Sequence, residues 1–300
     1  MKSRLYVHLA NHMAAMPTTF YPPASPRRPG FFERLGIGWR LTKVSLGVLR
    51  QEKSLVVLPF LSFLITAAAW GVFFASLFLV APPFDGFNAW LWYVGLFLLY
   101  VFTYFISTYF TAAVIGIAKI RLEGGDPTLK DGFRIASENL GRIFGWALLS
   151  ATVGMILRAI AERFGFLGRI IAGITGVAWG VATYLVVPVL IFEKLGPWAS
   201  VKRSGSLIRQ TWGEAAGAYF TLTAVFFLLG SAGLLFLVIG VVAGGVLGLL
   251  MGLLAAIMYW LILGFVGAAT QGILVTALYR YATTGQVAPG FPPEVFGARF

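Results

Sequence analysis

The chain contains no cysteine and only two histidines. Without thiols there is no disulfide scaffold, no cysteine-ligated zinc or iron–sulfur centre and no thiol nucleophile, and cysteine usage says nothing about redox compartment. His8 and His12 sit in a polar leader, residues 1–30, whose prolines Pro22, Pro23, Pro26 and Pro29 oppose helix; that setting suits a disordered tail rather than a metal site. Charge is scarce too. Asp, Glu, Lys and Arg supply 11% of the residues, against about 25% in a soluble domain, while 59% are hydrophobic. A composition of this kind excludes an ordinary soluble domain and makes the bilayer the default solvent.

The places where charge is missing altogether locate the helices. Charge-free runs extend over Ser54–Phe84, Gly86–Ala118, Ile143–Leu157, Ile170–Phe192 and Ala215–Tyr279. A span needs about 20 residues to cross roughly 30 Å of hydrocarbon. As one helix the last run would be about 98 Å long, so it must turn once and hold two spans, although nothing in it marks where the turn falls. The third run is short and reaches full length only if its helix continues past Arg158 toward Glu162. The fold class expected is all-α: a polytopic membrane bundle of about six transmembrane helices over residues 31–285, followed by a short tail, residues 286–300.

Orientation follows from the basic residues. Twenty lie on the side that holds both termini and three on the other. Lys and Arg favour the cytoplasmic side, so the chain is expected in the cytoplasmic membrane with both ends inside. The leader lacks the apolar stretch of a secretory signal. Much of the net charge of +12 is then topology and attraction to anionic lipid, and nucleic-acid binding is not expected.

Ahead of spans one, three and five the apolar residues recur at four- and three-residue spacing: Leu35, Trp39, Thr42, Leu46, Leu49; Leu129, Phe133, Ala136, Leu140, Ile143; and Trp198, Val201, Gly205, Ile208, Trp212. Each pattern draws one stripe along a helix and predicts an amphipathic helix on the cytoplasmic face. Asp126-Pro127 and Gly196-Pro197 supply helix starts. The chain thus reads as a surface helix followed by a membrane hairpin, three times over. Off the stripes, Arg40, Lys43, Arg134, Lys202, Arg203 and Arg209 are candidate contacts for anionic headgroups. Arg158 and Arg169 are candidates on the outer side, where pairing with Glu162 is the alternative.

Inside the membrane, Gly240, Gly244, Gly248 and Gly252 recur every fourth residue, an interval that lets two backbones approach. Packing within the bundle, a pore-lining or homodimer seam, and a flexible outer turn all fit this spacing. Between span ends there is no Asp, Glu, His or Lys, which opposes carboxylate-driven ion coupling and paired-aspartate or zinc proteolysis. No phosphate-binding loop occurs. No catalytic residue, cofactor or metal is therefore assigned, and the chain is not expected to be an enzyme. Two roles remain: a scaffold or lipid-associated membrane protein, and a channel or facilitator for a neutral or lipidic solute. The second would use Thr103, Ser107 and Thr111 of span two; a tightly packed interior would favour the first.

Gly38-Trp39-Arg40-Leu41-Thr42-Lys43, Leu58-Pro59, Asn139 to Thr152, Val187-Pro188-Val189 with Phe192-Glu193, Arg209 to Glu214 and Tyr279 to Gly285 resemble a bacterial and archaeal family of six-span proteins of unknown function, over about residues 31–291. The arrangement is also distantly similar to the membrane domain of some glycerophosphodiester phosphodiesterases. These 300 residues hold no hydrolase domain beside it, so the resemblance implies fold and carries no activity or site residues.

Overall fold

The computed structural model describes residues 40, 43–50, 52, 54–79, 87–210 and 212–291. The leader with His8 and His12, and the stripe residues Leu35, Trp39 and Thr42, lie outside them. Residues 43–50 are helical. After them come α1 (Ser54–Leu79), α2 (Phe87–Leu122), α3 (Leu129–Ser137), α4 (Leu140–Arg163), α5 (Gly165–Ala182), α6 (Val186–Phe192), α7 (Pro197–Gln210), α8 (Trp212–Ser231), α9 (Leu234–Ala243) and α10 (Gly245–Thr284). Among the described residues there is no strand, and six helical stretches are long and apolar enough to cross a membrane. The second unit's α4 runs through Arg158 to Arg163, so the short third run does reach full length.

The spans form three antiparallel hairpins, α1–α2, α4–α5 and α8/α9–α10, with α2 at the centre against α1, α3, α4, α6 and α10. Two of the helices are longer than any bilayer requires. At 36 and 40 residues, α2 and α10 measure about 54 and 60 Å. Burial explains the excess. Large apolar side chains are exposed within residues 57–104, 140–177 and 227–262, and beyond these only at Trp198 among the described residues. Lipid accepts such surface and water does not. The hydrocarbon boundary therefore crosses α2 near Tyr109, α4 near Phe144 and α10 near Val266. That leaves about 30 Å of α2 (90–109) and about 33 Å of α10 (245–266) inside it, the thickness of a bilayer core.

Past this boundary the same helices enter a compact core. Leu55 and Leu58 of α1, Ile115 and Ile117 of α2, Ile143 of α4, Leu190 of α6, Leu207 of α7 and Ile273 and Leu274 of α10 have almost no exposure. Ala288 and Phe291 are buried in it as well, so packing continues beyond residue 285, where a tail was expected to begin. The exposed side chains around this core are largely polar, and it is called the charged end below.

The two surface helices are docked on this core. α3 runs antiparallel to the inner part of α2, close enough that a Cβ on Gly132 would sit 3.0 Å from Ala113 O and one on Gly116 2.9 Å from Ile135 Cδ1. The buried line of α7 is Ser200, Val201, Ser204, Leu207 and Ile208, whereas Trp198 is 57% exposed. Its inward face keeps Val201 and Ile208 of the expected stripe but turns Trp198 out and brings Ser200, Ser204 and Leu207 in. Leu140 is likewise 44% exposed, and the buried Asn139 takes the inward position.

Both later hairpins contain a helix break that the charge-free runs do not reveal. α5 ends at Ala182, and Ser204 Oγ of α7 accepts from Leu185 N at 3.1 Å where α6 begins. α8 gives way to α9 at Ala232-Gly233. There Tyr259 Oη donates to Leu229 O (2.6 Å) and Trp260 Nε1 to Gly230 O (2.9 Å), second donors to carbonyls that also accept from Ala232 N and Gly233 N, so side chains of α10 brace the break.

The turn between spans five and six is Gly244-Gly245, with φ of 81° and 68°. Gly244 has nothing within 4 Å of a virtual Cβ, so it serves the turn and not the packing expected of it. The other three glycines do hold α9 against α10: a Cβ on Gly240 would lie 2.7 Å from Gly248 O, and one on Gly252 2.8 Å from Gly240 Cα.

Candidate functional site at the charged end

The charged end is assembled from short polar connections between units. Thr128 starts α3 through a reciprocal cap: its Oγ1 accepts from Asp131 N (3.3 Å), and Asp131 Oδ2 accepts from Thr128 N (3.0 Å). Hydrogen bonds from the side chain and backbone of Thr128, and then Arg134, hold the Asp131 carboxyl below its ordinary range. Arg134 lies between Asp131 (3.3 Å) and Glu138 (3.5 Å).

At the α3–α4 junction, buried Asn139 donates to Ile135 O (2.9 Å) and accepts from Arg142 Nη1 (3.0 Å). Arg142 Nε reaches on to Lys194 O at 2.9 Å, tying this junction to the loop after α6, where Lys194 adopts φ 53°. In the same loop both oxygens of Glu193 accept from Arg203 Nε (3.1 and 3.0 Å), and Glu193 Oε1 also accepts from Tyr279 Oη of α10 (3.3 Å). One carboxylate thus joins α6, α7 and α10. On the far side Arg121 of α2 pairs with Glu52 (3.7 Å) and Asp126 (3.4 Å).

Between the ends of α2, α6 and α10 opens a cleft of about 280 Å³. Lys119, Glu123 and Arg280 bring charge to it; Phe192, Leu122 and Tyr279 give it an apolar wall. Lys119 Nζ lies 4.9 Å from the centre of the Phe192 ring and 3.4 Å from Glu123 Oε1. Arg280 Nη1 donates to Leu122 O at 3.0 Å.

Arg134, Arg203 and Arg158 already have carboxylate partners, Arg158 at 2.7 Å from Glu162. Arg40, Lys43, Lys202, Arg209 and Arg169 are exposed. The structure does not gather the candidates into one pocket. Sequence reasoning missed the inter-unit carboxylates Glu52 and Glu193 and the buried serines of α7; the spacing of Ser200 and Ser204, four residues apart, was its available sign. Thr103, assigned to a solute path, accepts from Trp70 Nε1 at 3.1 Å, and Ser107 is exposed.

No curated protein and no solved structure matches the chain. A family model does match, over residues 90–290, from the start of the second span through the polar connections just described and leaving α1 outside. With that stretch covering more than half of its length, the chain belongs to the family of unknown function DUF6159.

Proposed function

We propose that this is a non-enzymatic scaffold or lipid-associated protein of the cytoplasmic membrane, with the charged end inside the cell. The observation that carries the reading is the core itself. Leu55, Ile115, Ile143, Leu190 and Leu274 come from five helices and close the bundle at the charged end with almost no exposure. A solute path along the bundle axis would have to pass through this close-packed region. The channel reading is the weaker one for that reason. The pattern likeness to the membrane domain of glycerophosphodiester phosphodiesterases adds no activity.

Inward orientation is supported by the basic surface, and anionic lipid is the partner that surface suits. Each exposed basic residue near an anionic leaflet contributes about 1 kcal/mol. Arg203 is committed to Glu193, so the test uses Lys202→Gln with Arg209→Gln. In nanodiscs of mixed anionic and zwitterionic lipid, native mass spectrometry should find less anionic lipid retained by the double variant than by the parent at low salt. Equal retention, or solute flux through proteoliposomes of the purified protein, would reject the reading.

A further inference from the structure

The cleft beside the end of α10 holds a positive charge, Arg280, that no carboxylate among the described residues pairs with. Arg280 is half-buried, and its one contact there is with a carbonyl, Leu122 O. This carbonyl, the last of α2, satisfies one of five guanidinium donors and offers the partial negative charge of a helix end rather than a full counter-charge. The nearby carboxylates are engaged elsewhere: Glu123 with Lys119, Glu193 with Arg203, and Glu52 and Asp126 with Arg121. Among the described residues no carboxylate lies within ion-pair distance of Arg280. Half-buried charge is ordinarily paired. Lys119 faces the same cleft, so its walls carry two cations against one carboxylate.

We propose that this cleft binds a phosphate group through Arg280 and Lys119. A guanidinium fork and a mobile ammonium are the pair of donors that recognises phosphate oxygens. Thr283 and Thr284 stand at the rim, their hydroxyls donating to Tyr279 O and Arg280 O. The cleft exceeds a bare phosphate in size, leaving room for an organic remainder against Phe192 and Tyr279. Depth bears on the source. Lys119 lies ten residues past Tyr109 along α2. That is about 15 Å beyond the hydrocarbon boundary, past a headgroup layer of roughly 5–8 Å. A soluble phosphate ester reaches this level more readily than a lipid headgroup, though both share the chemistry.

The test uses the full chain in phosphatidylcholine nanodiscs, with chloride matching ionic strength. One arm titrates inorganic phosphate and butyl phosphate; the other replaces part of the lipid with phosphatidylglycerol. Thermal shift and ³¹P line broadening are the readouts. Saturable stabilisation is expected from the soluble probes, with apparent affinity weakened about tenfold or more in Arg280→Gln and Lys119→Gln and partly kept in Arg280→Lys. An Arg280-dependent effect confined to the phosphatidylglycerol arm supports the phosphate site and assigns its source to lipid. No saturable effect in either arm overturns the proposal, as does identical behaviour of Arg280→Gln and the parent. Should Arg280→Gln fail to fold, Arg280→Lys and Lys119→Gln carry the comparison. The Lys202, Arg209 double variant should bind the soluble probes normally, so that failure of the lipid-surface reading and failure of this one are separable.

Discussion

Glycine does two different jobs between residues 240 and 252 of one hairpin. At Gly240, Gly248 and Gly252 a side chain would meet backbone atoms of the facing helix, which cannot move aside as a flexible side chain can. At Gly244 there is space, but φ 81° with ψ 155° is a conformation open essentially to glycine alone. Gly240→Ala should therefore destabilise by about 1–3 kcal/mol through overpacking, and Gly244→Ala by a similar about 1–3 kcal/mol through backbone strain. Gly264→Ala, exposed and with open space at its Cβ, is the control and should be neutral or slightly stabilising. Thermal melting in detergent reads all three. A melt of Gly240→Ala that coincides with the control would remove the close approach of α9 and α10. The four-residue spacing in sequence is the same at all four positions, which is why it could not separate turn from seam.

Among the elements, α3 is the one whose stability depends most plainly on pH. Its N-terminus rests on the Thr128–Asp131 cap, and the Asp131 carboxyl titrates below its ordinary value of 3.8. Because the folded-state pKa is the lower one, the stabilisation is fully present above the unfolded value and is lost as pH falls through the folded value. Amide exchange in the first turn of α3 should accelerate relative to neighbouring helices as pH drops from about 5 to about 3, after correction for intrinsic rates. Asp131→Asn should show raised exchange already at pH 5 and no further relative change. Parallel behaviour of parent and variant across that range would mean the cap does not govern the helix. The Asp126-Pro127 start was legible in sequence, but the acceptor that caps the helix is Thr128, two residues later. Likewise α7 was placed correctly and its face only in part: Val201 and Ile208 are buried, Trp198 is not. Bulky apolar residues dominate the periodicity, yet Ser200 and Ser204 decide which side can approach the bundle, and one of them is needed at the α5–α6 break.

For the whole molecule, the number of spans was readable because charges cannot be left in hydrocarbon, so gaps between them mark the helices. Where α2 and α10 leave the membrane was not readable. A valine facing another helix in a water-side core and a valine facing lipid look alike in composition, and only burial distinguishes residues 110–122 and 267–284 from the lipid-exposed stretches. That boundary makes a direct prediction. Single cysteines, free of native background, carry a nitroxide label at Phe102, Leu148, Ser137, Ser206 and Thr284. The first two should be relaxed mainly by oxygen, the last three mainly by a polar nickel chelate. In intact cells an impermeant maleimide should reach Arg163→Cys and spare Ser206→Cys and Thr284→Cys. Ser206 is an exposed position on α7, whereas Ser204 two residues before it is fully buried. Oxygen-dominated relaxation at Ser137 would return α3 to the membrane and the excess length of α2 with it.

The two-glycine link between α9 and α10 matters also for how the chain is made. Ala243 ends one helix and Gly245 begins the next, so no polar loop has to be carried across the bilayer when the third hairpin inserts. The hairpin can enter sideways as a closed pair, its backbone already satisfied, with no translocation step and no dependence on membrane potential acting on a charged segment. Once in place it offers nothing at its tip for a protease or antibody to grip. A chain arrested during synthesis after Ala243 would leave the α9 edge of the glycine seam at Gly240 uncovered and should be recognised by membrane quality control, whereas one arrested after Val266 would already hold the finished hairpin.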